Sequence, residues 1–243
     1  MLVINNLSFS YGNNLVIDNF SLAVANDEIV AVIGKSGCGK TTLLNNCATI
    51  YGENNSILLN NKVLSAKEKN IGLLMQDFGL LPWLNVRDNC LLPYTIKKLT
   101  INKKVEKHFE EILNKLDIKQ LIQTKVTKLS GGQKQRVALA RLFTFSPDLI
   151  LLDEAFSSLD IFTKEEAIKL FFNLWESRQV PTLLVTHNID EALYIAKTIV
   201  IVEKNCHIKE IIDNPLFMND NYRQDQQYGY LYKKVANLIK GEH

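Results

Sequence analysis

Apolar residues along this chain come in short runs whose period changes from segment to segment. Phe20, Leu22 and Val24 alternate with Ser21 and Ala23 after the turn residues Gly12-Asn13-Asn14, a half-buried strand pattern that predicts antiparallel pairing near the N-terminus. Ile29 to Ile33 is continuously apolar and leads through a glycine-containing loop into a helix-like segment, Thr41 to Thr49. Similar runs recur at Ile71 to Met75, Leu149 to Leu152, Thr182 to Val185 and Thr198 to Val202. Strands apolar at every position are buried on both faces, so these runs predict a mostly parallel central sheet covered on both sides. Between Met75 and Leu149 the period turns helical: Val105, Phe109, Ile112, Leu113 and Leu116 share one face, and charged residues from Lys103 to Glu111 occupy the rest. A helical block placed between two sheet strands predicts a subdomain. The expected organisation is a single α/β domain over 1–243. Its core spans 1–76 and 146–212, its helical subdomain 77–145, and a weakly patterned tail 213–243 carries tyrosines that read as packing contacts. The segment from Thr49 to Asn70 gives no clear strand assignment.

Composition narrows the function classes. The 47% hydrophobic and 22% charged residues are those of a globular protein. With 28 basic and 26 acidic side chains the net charge is +2, which lacks the basic excess of a nucleic-acid binder, so no nucleic-acid partner is expected. No apolar run approaches the roughly eighteen residues that cross a bilayer. The start, Met1-Leu2-Val3-Ile4-Asn5, has no basic region ahead of an apolar stretch, so a cytoplasmic location is expected. Cys38, Cys47, Cys90 and Cys206 form no C-x-x-C pair and read as reduced thiols.

Three motifs carry chemistry. Gly34-Lys35-Ser36-Gly37-Cys38-Gly39-Lys40-Thr41 fits G-x-x-x-x-G-K-[ST] between a strand and a helix, the context the motif requires. Backbone N–H groups of such a loop surround phosphate oxygens and the helix N-terminus adds its positive end, while Lys40 reaches the β and γ phosphates and Thr41 offers a hydroxyl to Mg²⁺. Thr42 continues the same nucleotide-binding run. Leu149 to Leu152 ends in Asp153-Glu154, placing carboxylates where ligands bind on a parallel sheet. Asp153 suits the Mg²⁺ shell, and Glu154, turned differently, suits a general base acting on water. Ser130-Gly131-Gly132-Gln133 opens a helical segment, and Ser130 with Gln133 has the form of a capping box. A plain helix start and a second phosphate-binding surface both fit it.

Taken in order, these motifs together with Gln76, Ser158-Leu159-Asp160 and the lone His187 of Val185-Thr186-His187 resemble the ATP-binding subunit of ATP-binding-cassette transporters over roughly Leu2 to Val202. Ser130 lies 23 residues before Asp153 and His187 lies 34 after it, near the family's spacing. The resemblance implies a P-loop ATPase core with an N-terminal antiparallel β subdomain and ATP and Mg²⁺ as ligands. It implies that Tyr11 stacks on adenine, and that Gln76 touches Mg²⁺ and the attacking water while sensing a membrane partner. It further implies that Asp160 couples two sites across a dimer and that His187 contacts the γ-phosphate. One phosphate loop and one family signature, Leu129-Ser130-Gly131-Gly132-Gln133, per chain imply that Ser130, Gly131 and Gly132 act in trans, in a homodimer or paired cassette. His108, His207 and His243 are expected to be surface or packing residues.

The run Gln76-Asp77-Phe78-Gly79-Leu80-Leu81-Pro82-Trp83 through Val86 to Asn89 resembles the ATPases of nitrate, sulfonate and taurine importers. That implies transmembrane permease subunits, indirectly a substrate-binding protein, and a peripheral position on the inner face of the membrane. Phe78, Leu81 and Trp83 are read two ways, as a groove for a permease helix or as internal packing. Ala155, Asp27 and Asn188 depart from the family's usual proline, glycine and aspartate without removing a catalytic group. A soluble cassette ATPase, such as one serving iron–sulfur cluster assembly, is the alternative, and the Leu80 to Asn89 run argues against it.

Overall fold

The computed structural model describes residues 1–157 and 160–241, so Ser158, Leu159 and His243 lie outside the described residues. Strands β1 (Leu2–Tyr11) and β2 (Asn14–Val24) pair antiparallel across Gly12, whose φ of 58° suits a glycine in a tight turn. After β3 (Ile29–Gly34) the chain passes through the glycine loop into α1 (Lys40–Cys47). That helix stops two residues short of the predicted end because Thr49 turns to a positive φ of 57°. The segment without a clear assignment forms β4 (Ile57–Leu59) and β5 (Lys62–Val63), which complete an antiparallel sheet of order β2-β1-β4-β5.

β6 (Ile71–Met75) is followed by α2 (Val86–Ile96), α3 (Lys103–Lys115) and α4 (Gly131–Thr144) before the chain returns to the sheet as β7 (Leu149–Asp153). Then come α5 (Ile161–Trp175), β8 (Thr182–Thr186), α6 (Ile189–Ile195), β9 (Thr198–Val202), β10 (Ile208–Asp213) and α7 (Tyr228–Lys240). The central sheet runs β10-β9-β3-β8-β7-β6, parallel throughout except for the antiparallel β10.

Its continuous apolar runs are explained by burial on two sides. Ile29, Ala31 and Ile33 face the core built with α2 to α7, whereas Val30 and Val32 face a second core shared with α1 and the antiparallel sheet. On α3, Phe109, Ile112 and Leu113 are buried as the helical period predicts, and the Asn102 side chain caps the helix by accepting from the N–H groups of Lys104 and Val105. The tail is more regular than its sequence suggests. Leu231 and Val235 bury one face of α7, and Tyr222 stacks on Tyr194 with centroids 5.0 Å apart, so these tyrosines pack while Tyr230 stays exposed.

Candidate functional site

Strand register brings the motifs together. Ile33 pairs with Thr186, Asp153 with Val185, and Met75 with Asp153, so β3, β8, β7 and β6 end at one level. The residues that follow these strand ends are the phosphate loop, His187, Glu154 and Gln76. Four segments distant in sequence therefore reach the carboxyl edge of a single sheet, where open α/β sheets bind ligands.

At that edge a cleft of about 290 Å³ is lined by Val16, Ser36, Gly37, Gly39, Lys40, Thr41, Thr42 and Glu154. Gly39 takes φ 109° at the N-cap of α1 with no side chain capping it, which leaves the first N–H groups of the helix available to an anion. A β-carbon there would lie 2.6 Å from the Val16 carbonyl oxygen, and one at Gly34 would lie 2.2 Å from that of Val202. Gly34 is thus required for packing against β9 rather than for lining the cleft. Lys40 is only 7% exposed, and its ammonium donates to the carbonyls of Gly34 (2.8 Å) and Lys35 (2.9 Å), which holds the charge over the loop. Cys38 is buried beneath, and Lys35 points elsewhere, donating to the Lys240 carbonyl at the end of α7 (3.1 Å). Val16 lines the cleft although no motif marks it.

The Thr41 hydroxyl is hydrogen-bonded to Asp153. Burial pushes the Asp153 carboxyl above its ordinary range, the neighbouring Glu154 charge adds to this, and Lys40 and Thr41 offset part of it. A hydroxyl and a carboxylate side by side are hard oxygen donors, a set that fits Mg²⁺. Glu154 leaves β7 with a positive φ of 49°, its N–H held by the Val185 carbonyl (2.9 Å). That turn directs its carboxylate to the cleft, where His187 Nδ1–H donates to Oε1 at 2.8 Å. A carboxylate oriented by an imidazole beside a phosphate-type loop can accept a proton from water.

Tyr11 is exposed beside this cleft, and its hydroxyl is hydrogen-bonded to those of Thr42 (3.4 Å) and Tyr51. Phe9 completes the cluster, stacked on Tyr51 with centroids 4.7 Å apart. Tyr51 was not marked by any motif; it sits in the segment whose sequence pattern is weakest.

The remaining expected site residues, Ser130 to Gln133, Asp160 and Gln76, are not among those lining this cleft. Ser130 caps α4 in a complete capping box: its hydroxyl accepts from Gln133 N–H (3.3 Å), and Gln133 Oε1 accepts from Ser130 N–H (3.0 Å). Gly131 is exposed beside it, and Ser130, Gly132 and Gln133 border a separate cleft of about 470 Å³. Asp160 caps α5, accepting from the Thr163 N–H (3.1 Å) and hydroxyl (2.6 Å). Gln76 is exposed one residue beyond β6.

The loop after Gln76 is held by side chains from α2 and α4. Arg141 donates to the carbonyls of Phe78 and Gly79 (2.5 Å each). Fully buried Asn89 exchanges hydrogen bonds with the Leu81 backbone, accepting at 2.8 Å and donating at 3.2 Å. Phe78 is buried while Trp83 is 67% exposed, so the two readings divide between them: Phe78 packs inward and Trp83 faces out. His108 packs against the Phe143 carbonyl (3.1 Å).

The ABC transporter family matches residues 17–157. The taurine import ATP-binding protein TauB of Escherichia coli O157:H7 is 36% identical over 203 residues, 83% of this chain and 79% of that protein, and TauB of Shigella boydii serotype 4 is similar to the same extent. Among solved structures, the dimeric ATP-binding cassette MJ0796 bound to ADP and Pi superposes with a TM-score of 0.71 at 27% identity, covering 88% of this chain and 98% of that one.

Proposed function

This chain belongs to the ABC transporter family and is an ATPase coupled to transport, and from that premise we propose that it dimerises around two ATP to energise import of a small anion or organic solute of the nitrate, sulfonate or taurine type. The observation that carries the reading is Glu154 lining the same cleft as Lys40 while His187 orients its carboxylate. ATP enters with its phosphates against Gly37 to Thr42, and Lys40 exchanges its two carbonyl partners for phosphate oxygens. Tyr11 supports the adenine. Thr41, Asp153 and Gln76 would hold Mg²⁺, which when bound neutralises charge on the phosphate oxygens. Glu154 takes a proton from the attacking water, and His187 keeps the carboxylate aimed and reaches the γ-phosphate.

The separation of Ser130, Gly131, Gly132 and Gln133 from the cleft within one chain supports their acting on ATP held by the second subunit, a homodimer partner or a paired cassette. In that assembly Asp160 couples the two sites, the 77–145 subdomain carries the signature, the core spans 1–76 and 146–212, and 213–243 forms the tail. Trp83, presented on a loop clamped by Arg141 and Asn89, supports docking of a permease helix, and with it a cytoplasmic, membrane-peripheral location and indirect service to a substrate-binding protein. The Leu80 to Asn89 run that carries this loop argues against a soluble assembly ATPase, and no nucleic-acid partner enters this reading.

The test is Glu154→Gln. ATP binding and an ATP-bound dimer should persist, while turnover falls by about a hundredfold or more. Undiminished turnover would remove Glu154 as the base.

A further inference from the structure

We infer that the Lys164–Glu191 ion pair, half-buried at Lys164 and fully buried at Glu191, ties Asp160 at the start of α5 to the loop carrying His187, so that the two surfaces facing the second subunit move together. The inference rests on the site reading above and adds two positioning residues to it. Glu191 is 2% exposed, and its carboxylate accepts from Lys164 Nζ (2.8 Å) through one oxygen and from the Thr186 hydroxyl (2.8 Å) through the other. Thr186 Oγ1 in turn accepts from Asn188 N–H (3.0 Å), and Asn188 Oδ1 accepts from Glu191 N–H (3.2 Å). His187 therefore lies between two residues that are both bonded into the Glu191 ring. On the opposite side, Lys164 N–H donates to the Asp160 carbonyl (2.9 Å), and the Thr163 beside it holds the Asp160 carboxylate. The path from Asp160 to Thr186 runs through Lys164 and Glu191 by hydrogen bonds of 2.9, 2.8 and 2.8 Å, and Thr186 is the residue directly before His187.

An ion pair whose carboxylate is buried is a weak source of stability, because desolvation offsets the attraction, and its best-attested use is to fix registry between elements. Here the elements are α5 and α6, which border a cavity of about 260 Å³ lined by Lys164, Asn188 and Glu191 together with Ile168 and Tyr194. Apolar side chains would fill that space without directional bonds. The ion pair instead transmits orientation from one helix start to the other, and a displacement of Asp160 by the second subunit is delivered to His187 and so to Glu154.

The experiment uses the full chain and avoids stranding a charge. Thr186→Val cuts the link on the His187 side and leaves the ion pair intact; the double variant Lys164→Met with Glu191→Gln removes both charges together. Each should lower kcat about tenfold while ATP affinity and KM hold within about twofold, and Thr186→Ser should retain activity. The triple variant should be no slower than the worse of its parents, because both interrupt one path. Unchanged kcat in Thr186→Val, losses that multiply in the triple variant, or a lower melting temperature with unchanged kcat per folded chain would each overturn the coupling. Glu154→Gln run alongside separates the two claims. If it is inactive while the coupling variants keep turnover, only the coupling fails; if it stays active, the site reading itself fails.

Discussion

Gly131→Ala isolates what the signature glycine is for. Gly131 is the first residue of α4, it is exposed, its φ is not positive, and a β-carbon there would meet nothing within 4 Å. The isolated chain therefore has no steric need for glycine at this position. Alanine restricts the unfolded chain and is the better helix former, so the substitution should stabilise the protein by about 0.5 kcal/mol. For a chain of this size that corresponds to a rise of about 1 to 2 °C in melting temperature. Gly39→Ala is the contrast: with φ 109° and a β-carbon 2.6 Å from the Val16 carbonyl, it combines backbone strain with a clash. Its cost should be about 3 kcal/mol. Urea denaturation of the nucleotide-free chain measures both. In ATP turnover the gain should not carry over: if α4 closes on phosphates held by a second subunit, a methyl at Gly131 intrudes there, and turnover should drop at least about tenfold despite the added stability. Full turnover in Gly131→Ala would refute closure of the signature on nucleotide, and a lowered urea midpoint would refute the open geometry at this position.

Asp153→Asn should raise the stability of the nucleotide-free chain near neutral pH while abolishing Mg²⁺-dependent hydrolysis. Because the folded-state pKa of Asp153 lies above its unfolded value, the folded chain binds this proton more tightly, and the group's contribution to stability falls as pH rises from the unfolded through the folded pKa. The advantage of Asn should shrink as pH falls through that window; an advantage independent of pH contradicts burial of the charge as its cause. Trp83→Ala should leave the isolated chain's stability within about 0.5 kcal/mol and its turnover unchanged, since the side chain is 67% exposed. Recovery with membrane permease subunits should fall sharply, as for an interface anchor worth about 2 kcal/mol; undiminished recovery removes Trp83 from the docking surface.

Much of the site was legible because its chemistry is local. A loop that is to hold phosphate and Mg²⁺ would need glycines to turn, a lysine and a terminal hydroxyl in succession, so the motif Gly34 to Thr41 is written in consecutive residues. Ser130 and Gln133 announced their capping box for the same reason, since both hydrogen bonds span three residues. The buried strands were legible because burial on both faces demands apolar residues at every position, whereas β4 and β5 are three and two residues long, too short to carry a period.

The tertiary structure alone decided what depends on pairing between distant segments. The register of Met75, Asp153, Val185 and Thr186 sets which side chains share the sheet edge, and only that register turns Glu154 and His187 into a bonded pair. Val16 and Tyr51 joined the site through the packing of the antiparallel sheet and the exit of α1, which leave no mark on their own neighbours in sequence. Phe78 and Trp83, equally apolar, parted inward and outward because Arg141 and Asn89 fix the loop between them. The sequence by itself therefore determined the fold class and named the candidate groups for phosphate chemistry, because both follow from local residue type and period. Their meeting, and the Lys164–Glu191 ion pair behind them, were decided by contacts among residues far apart along the chain, where side-chain burial and hydrogen-bond partners are set by the whole fold.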